Sequence, residues 1–279
     1  MKRYRVLSFD LDTRAAYLGM EIQDGWDEQI KSQHHENKER TAQEILKEYG
    51  GRLAELKLQN FVELDPMPVS IIAFHNEFLH QVRAAFVIGA YYPALTAACA
   101  LGERILNRLI LLLRDHFIGT PGYKRVCKKD SFDNWNLAIG TLNSWGVLRS
   151  EAVDTFKKLS SIRNRTIHFN PETDKNARPL ALEAIRLLNT IIEVQFSAFG
   201  PLPWFIVEVR GECYIKKEAE RLPFVQKVYL PNCCLVGPRH SLEFDPTKFG
   251  FIVHDNFEYD EREISDAEFV ILREQSKVG

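Results

Sequence analysis

The feature that constrains this fold most is a long apolar stretch near the middle of the chain. No charged residue occurs between Ala84 and Gly102. The stretch is interrupted by Gly89-Ala90-Tyr91-Tyr92-Pro93, and it would be short for a bilayer span. Beyond the interruption, apolar residues recur every three or four positions from Pro93 to Phe117, which predicts a central helix. We therefore expect two buried helices joined by a turn, and no membrane segment.

Helical periodicity continues on both sides of this central helix. It predicts further helices from Ile71 to Ile88, from Phe132 to Trp145, from Ser150 onward, and from Ala177 to Phe199. Short connections between amphipathic helices favour an antiparallel bundle of about five helices.

The N-terminal part of the chain follows a different pattern. Tyr4 to Asp10 alternates as a strand does, and a polar helix is predicted from Asp27 to Tyr49, where Gly50-Gly51 would end it. Asp65-Pro66-Met67-Pro68 is typical of a boundary, because each proline restrains the residue before it.

The C-terminal part is rich in short aromatic and β-branched runs separated by turn residues. These runs predict a small antiparallel β module, with strands that include Phe224 to Leu230 and Phe269 to Leu272. The fold class expected from the sequence is therefore α+β. Its predicted parts are an N-terminal strand and helix segment (1–66), a helical bundle (67–200) and a small β module (201–279).

Charge is distributed unevenly along the chain, although the net charge is only −2. Residues 67–200 carry 16 basic and 11 acidic side chains, whereas residues 1–66 carry 10 and 13, and residues 201–279 carry 10 and 14. A basic bundle between acidic flanks is typical of a protein that binds a polyanion.

The five cysteines are scattered, with no C-x-x-C pair and no matching histidine spacing. This pattern argues against a metal site. The odd cysteine count and the missing signal peptide indicate a reducing, cytoplasmic location.

Three polar residues converge near the end of the helix that begins at Ser150. Arg163 falls inside the arc of apolar residues, and Asn164 and His168 lie four residues apart on neighbouring turns. An imidazole can accept or return a proton near neutral pH, and a guanidinium can stabilise charge on phosphoryl oxygens. This triplet suits cleavage of an RNA phosphodiester by its own 2′-hydroxyl without a metal. The structural alternative is that Arg163 reaches a carboxylate and His168 caps helix carbonyls.

Arg163-Asn164-x-x-x-His168 resembles the R-N-x-x-x-H motif of the HEPN superfamily (higher eukaryotes and prokaryotes nucleotide-binding domains). The resemblance covers residues 67 to 200 and is supported by the motif and the order of helices around it. It implies an HEPN-like helical bundle that dimerises so that two motifs line one cleft. Active members of the family are metal-independent ribonucleases, whereas other members only bind ligands or act as scaffolds.

The resemblance implies a homodimeric endoribonuclease that acts on RNA and uses no cofactor. Its catalytic residues would be Arg163 to stabilise the transition state, Asn164 to orient His168 or the phosphate, and His168 as general acid or base. A toxin or antiviral-defence effector, controlled by a cognate antitoxin or another regulatory partner, is the expected setting. The alternatives are a non-catalytic dimerisation or interaction module and a nucleotide-binding regulator.

Other charged residues are candidates for supporting roles. Glu103 could pair with Arg163 and hold it in position, or it could belong to an exposed stripe of the central helix. The candidate RNA-binding cations, which could equally be solvated surface residues, are Lys124, Arg125, Lys128, Lys129 and Arg165.

Overall fold

The computed structural model describes residues 1–7, 10–70, 73–166, 175–197, 202–247 and 250–277. The chain divides into two compact units. The larger unit comprises residues 10–196, and the smaller one combines residues 1–9 with residues 197–279. The first strand, β1 (Arg3–Val6), belongs to the smaller unit.

The larger unit is mainly helical, as the periodicity predicted. Its helices and strands are β2 (Asp10–Asp12), α1 (Arg14–Gly19), α2 (Glu28–Tyr49), α3 (Ala54–Glu63), β3 (Met67–Ser70), α4 (Ala73–Val87), α5 (Tyr91–Leu113), α6 (Pro121–Val126), α7 (Trp135–Ser144), α8 (Ser150–Thr166) and α9 (Ala177–Phe196). A 3₁₀ turn, Arg114–Phe117, follows α5.

Helix α5 is the centre of this unit, because α4, α7, α8 and α9 all pack against it. Leu101, Ile105 and Leu109 are buried as the spacing predicted. A helix surrounded by other helices needs apolar residues on most of its faces, which explains the long stretch without charge. The break in that stretch is the turn between α4 and α5, where Gly89 adopts a positive φ of 85°.

Local signals set the ends of α2. The Asp27 side chain accepts a hydrogen bond from the backbone N–H of Gln29 at 2.8 Å and caps the start of the helix. Gly50, with a φ of 81°, follows its last residue. The predicted polar helix is therefore confirmed at both ends.

The segment around Pro66 continues within the larger unit. Its residues lead into β3, which pairs antiparallel with β2. Helix α3, which the sequence pattern did not predict, precedes it and packs against α4. The sequence placed a boundary here because local proline restraint does not reveal whether the chain continues into the same core.

The smaller unit contains a four-stranded antiparallel sheet with the order β4-β5-β1-β6. Its remaining strands and its helix are β4 (Phe205–Ile206), β5 (Tyr214–Ile215), β6 (Cys233–Val236), β7 (Ser241–Asp245), β8 (Gly250–His254) and α10 (Asp266–Lys277). Strands β7 and β8 form a separate hairpin. The α+β class is thus confirmed, and the N-terminal strand lies between strands of the C-terminal region.

Two predicted strands of this unit are helical. The run from Phe224 to Leu230 contains a π-helical turn, Val225–Tyr229, and the run from Phe269 to Leu272 lies inside α10. In α10, Phe269 and Arg273 are buried four residues apart, on one helical face. A short apolar run fits either a strand or a helix, so the contacts of the folded chain decide which of the two forms.

A network of buried polar side chains links the sheet to α10. Arg273 donates to both carboxylate oxygens of Glu212, at 2.8 and 2.6 Å, and the Tyr214 hydroxyl donates to the same carboxylate at 2.5 Å. Arg5 Nη2 lies 3.4 Å from Oε1 of Glu212, and Arg5 Nη1 donates to Nε2 of His240 at 2.5 Å. Burial alone would raise the pKa of Glu212. The hydrogen bonds from Arg273 and Tyr214 outweigh this effect and lower the pKa to about 2. Burial lowers the pKa of His240 to about 4.

None of the described helices is long and apolar enough to cross a membrane.

Candidate functional site

Arg163 lies in the last turn of α8, beside the central helix α5. The apolar residues Phe156, Leu159 and Ile162 are buried and hold this face of α8 against the core. Arg163 Nη2 donates to Glu103 Oε2 on α5 at 3.3 Å. The side chains of Arg163 and Glu103 keep 27% and 31% of their surface exposed. The ion pair suggested by the sequence is therefore present, at the margin between core and solvent.

Trp135, at the start of α7, shares the carboxylate of Glu103. Its indole Nε1 donates to Glu103 Oε2 at 3.1 Å, the same oxygen that Arg163 contacts. Trp135 is not among the site residues predicted from the sequence. A buried indole N–H needs an acceptor, and that requirement was the signal for this contact.

Gly102 allows α5 to approach the two helices that carry Trp135 and Leu159. A Cβ atom at Gly102 would lie 2.7 Å from Trp135 Cη2 and 2.8 Å from Leu159 Cδ2. Such distances are too short for carbon atoms in contact. The glycine next to Glu103 thus sets how closely α5, α7 and α8 pack around the ion pair.

Asn164 is the second motif residue and is exposed. Arg163 Nη1 donates to Asn164 Oδ1 at 3.4 Å. The guanidinium therefore contacts Glu103 through one terminal nitrogen and Asn164 through the other. His168, the third motif residue, lies outside the described residues, and Arg165 is exposed in the last turn of α8.

Cys99 lies one helical turn before Glu103 on α5 and is buried. Burial raises the pKa of its thiol to about 12, and the positive charge of Arg163 offsets only part of that rise. The thiol therefore stays protonated at neutral pH. It acts as a small apolar side chain beside the site, because only the thiolate is a strong nucleophile.

The candidate RNA-binding cations of residues 124–129 lie on and just after the short helix α6. Lys124, Arg125, Lys128 and Lys129 are all exposed. Arg114 Nη1 donates to the carbonyl of Lys129 at 2.6 Å and anchors the backbone that follows α6. These cations are therefore presented from an anchored segment.

A groove of about 340 Å³ runs beside Glu103. One wall is the face of α5 from Glu103 to Leu111, and the other is formed by Asp130 and Ser131. Asp130 and Ser131 directly follow the cations of residues 128 and 129 in the chain. The groove thus connects the segment after α6 with the carboxylate that holds Arg163.

Metal-ligand geometry is not found in the part of the chain that the structure describes. No group of three or more His, Cys, Asp and Glu side chains there could hold a metal ion. What the described part of the site offers is a positive guanidinium, oriented by a carboxylate and an amide.

No protein-family model, no curated protein and no solved structure matches this chain.

Proposed function

We propose that this protein is a metal-independent endoribonuclease of the HEPN type, with Arg163, Asn164 and His168 as its catalytic residues. The observation that best supports the proposal is the combination of contacts and solvent exposure at Arg163. Glu103, which Trp135 fixes through a hydrogen bond, orients it from within the bundle, yet its side chain remains partly open to solvent. Its remaining N–H donors can therefore reach a phosphate, which a fully enclosed guanidinium could not do.

The reaction would be an intramolecular attack within the RNA. A general base removes the proton of a 2′-hydroxyl, and the 2′-oxygen forms a bond to the adjacent phosphorus. The bond from phosphorus to the 5′-oxygen then breaks, and a general acid protonates that oxygen. The products are a 2′,3′-cyclic phosphate and a 5′-hydroxyl. His168 supplies the acid or base, since an imidazole titrates near neutral pH.

Arg163 would stabilise the charge that develops on the non-bridging phosphoryl oxygens. Its planar guanidinium carries five N–H donors, so it can bind a phosphate while it keeps contacts to Glu103 and Asn164. Asn164 would orient either His168 or the phosphate. A homodimer formed through the helical bundle would bring two such sets into one cleft, so that one His168 could serve as base and the other as acid.

The biological setting proposed here is that of a toxin or antiviral-defence effector. An enzyme that cuts cellular RNA needs control, and a cognate antitoxin or another regulatory partner would supply it. This part of the proposal follows from the resemblance of the Arg163-Asn164-x-x-x-His168 motif alone.

The test is incubation of the purified protein with total RNA and tRNA in EDTA. Three variants accompany the wild type: Arg163→Ala, His168→Ala, and the control Lys158→Ala, which removes an exposed cation from the same helix. We expect cleavage by the wild type and by Lys158→Ala, and loss of cleavage in the other two. The new ends should be 2′,3′-cyclic phosphates, detectable because they resist phosphatase until the ring is opened with acid.

Two results would contradict the proposal. Cleavage that persists in both Arg163→Ala and His168→Ala would assign the activity to another site or to a contaminant. A wild-type dimer that cuts no RNA would favour the scaffold alternative. Circular dichroism of each variant has to match the wild type before the activities are compared.

A further inference from the structure

A groove along α5 lies beside the carboxylate that holds Arg163, and the proposed catalytic residues do not use it. It begins at Glu103 and follows one face of the helix to Leu111. Arg104 and Arg108 line it, and both are exposed. The two arginines are four residues apart, which places them on the same side of the helix about 6 Å apart along its axis.

The charged residues that line the groove are two arginines and two carboxylates. Its two carboxylates are each in an ion pair with an arginine: Glu103 with Arg163 at 3.3 Å, and Asp130 with Arg114 at 3.6 Å. Arg104 and Arg108 also line it. Together these described residues supply four guanidinium groups (Arg104, Arg108, Arg114 and Arg163) and two carboxylates (Glu103 and Asp130). Such an excess favours a polyanionic ligand.

The walls of the groove are held together by hydrogen bonds. Asn107 on α5 donates to the carbonyl of Phe132 at 3.0 Å and accepts from its backbone N–H at 2.6 Å. The Arg104 guanidinium lies 4.6 Å from the centre of the Phe78 ring, a cation–π contact that restricts its orientation. A site whose donors are already positioned loses little entropy when it binds a ligand.

We propose that this groove binds the sugar-phosphate backbone of single-stranded RNA, with Arg104 and Arg108 contacting neighbouring phosphates on one side of the cleaved bond. This inference rests on the proposed function, because the groove would hold the part of the RNA substrate that leads to Arg163. Lys128 and Lys129 continue the positive surface where the segment after α6 enters the groove.

We expect the groove to hold a single strand rather than a duplex. Its volume of about 340 Å³ is at the low end of small-ligand pockets, a size that suits one backbone lying along it. Proteins that hold single strands commonly do so with a cationic groove that follows the backbone. The cations here follow one helix face, which suits one strand.

The test is a binding titration with a fluorescein-labelled 12-residue 2′-O-methyl oligouridylate. This probe lacks free 2′-hydroxyls and cannot be cleaved by the proposed reaction, so its affinity can be measured for wild type and variants alike. Fluorescence anisotropy is recorded over a range of salt concentrations in EDTA. For single strands, each phosphate contact contributes about 0.7 to the slope of log affinity against log salt.

The informative variants are the double variant Arg104→Gln/Arg108→Gln and the single variant Arg108→Gln. We expect the double variant to bind at least about tenfold more weakly and to lower the slope by about 1.4, as loss of two phosphate contacts requires. The single variant should lower the slope by about 0.7. It keeps the contact of Arg104 with Phe78. Circular dichroism of both variants has to match that of the wild type before the slopes are compared.

The matched control is Arg40→Gln/Lys47→Gln, which removes two exposed cations from α2 in the same unit. We expect the affinity of this control to depend on salt concentration with the same slope as that of the wild type. Wild-type slopes in both groove variants, or equal affinity for a 12-base-pair 2′-O-methyl duplex, would overturn the inference.

Parallel cleavage assays keep this inference distinct from the proposed function. Cleavage that depends on His168 and Arg163, together with unchanged binding by the groove variants, would disprove the groove and leave the ribonuclease standing. A reduced slope in the groove variants of a protein that cuts no RNA would establish the groove as an RNA site and refute the ribonuclease.

Discussion

A guanidinium at the edge of an apolar helix face needs acceptors within reach, and Arg163 has them from two helices. Glu103 on α5 contacts one terminal nitrogen and Asn164 on α8 the other. The carboxylate is itself fixed by Trp135. Arg163 is therefore oriented before any ligand arrives, as a group that stabilises a transition state has to be.

Replacement of Arg163 by lysine tests whether the planar fork matters beyond its charge. Lysine keeps the positive charge but cannot donate in two fixed directions from one plane. We expect Arg163→Lys to lower the rate of RNA cleavage by about 10²-fold, the size of effect seen when one positioned donor is lost. The free energy of unfolding should change by no more than about 1 kcal/mol, because the ion pair is partly exposed.

Single-turnover cleavage and urea unfolding, measured on the same preparations, check this prediction. Lys158→Ala serves as the control for a charge change on α8. Full activity in Arg163→Lys would show that position 163 supplies charge alone.

The buried network around Glu212 makes the smaller unit sensitive to acid. The pKa of His240 is lowered from 6.5 to about 4 in the folded chain, so the unfolded state takes up its proton first as the pH falls. The stability that depends on neutral His240 is therefore fully present above pH 6.5 and is lost between pH 6.5 and 4. The stability that depends on ionised Glu212 is also lost as the pH falls, between pH 4.5 and 2.

We expect the free energy of unfolding of the smaller unit to fall by about 3 kcal/mol as His240 passes through this range, since one pKa unit corresponds to about 1.4 kcal/mol. Urea titrations at pH 7.5, 5.5 and 4.5, read by hydrogen exchange in β5 and α10, measure it. His240→Gln retains an acceptor for Arg5 but does not titrate, so its stability should be flat between pH 6.5 and 5. A wild type as insensitive as His240→Gln would refute the assignment.

At the scale of helices, the close approach of α5 to α7 and α8 depends on Gly102. Gly102→Ala would force a Cβ against Trp135 and Leu159. We expect it to destabilise the larger unit by about 1–3 kcal/mol, the usual cost of overpacking. Gly140, in α7, is the matched control, because a Cβ there meets nothing within 4 Å.

Gly140→Ala should stabilise the unit by up to about 1 kcal/mol, since alanine is the better helix former. Thermal unfolding followed by circular dichroism compares the two variants directly. Equal effects of both substitutions would mean that helix propensity, and not the contact with Trp135, governs position 102.

At the scale of the whole molecule, β1 joins the two ends of the chain in one sheet. It lies between β5 and β6, and its Arg3 is buried and bonded to Asp266 at 2.7 Å. Removal of residues 1–7 would expose the backbone edges of both neighbouring strands and leave Asp266 without this partner. Unpaired strand edges buried in a small unit are costly.

We expect deletion of residues 1–7 to abolish hydrogen-exchange protection in β5, β6 and α10, while helices α5, α8 and α9 remain protected. Exchange measured by mass spectrometry resolves these regions separately. Lys2→Ala is the control, because Lys2 is in the same strand region but its side chain is 40% exposed. Retained protection in β5 and β6 of the truncated chain would show that β1 is dispensable.

The candidate site could be predicted from the sequence only where local spacing carries it. The pairing of Arg163 with Glu103 was one of two alternatives for Glu103, whereas the motif helix and the position of Arg163 on its apolar arc followed from periodicity and residue type. The bond from Trp135 to Glu103 and the groove between α5 and residues 130–131 did not. The bond joins residues 32 positions apart, and the two walls of the groove lie 19 to 28 positions apart (130 − 111 and 131 − 103), so only packing brings them together.

The sequence by itself determined helices α2, α4, α5, α7, α8 and α9 of the larger unit, because helical period, caps such as Asp27 and stops such as Gly50 act within a few residues. Tertiary structure decided the rest. It placed β1 among the C-terminal strands, made Phe269 and Arg273 part of a helix, and continued the chain through Pro66 into the helical core. The physical reason is that strand pairing and core contacts join residues far apart in the chain, whose local patterns fit more than one structure.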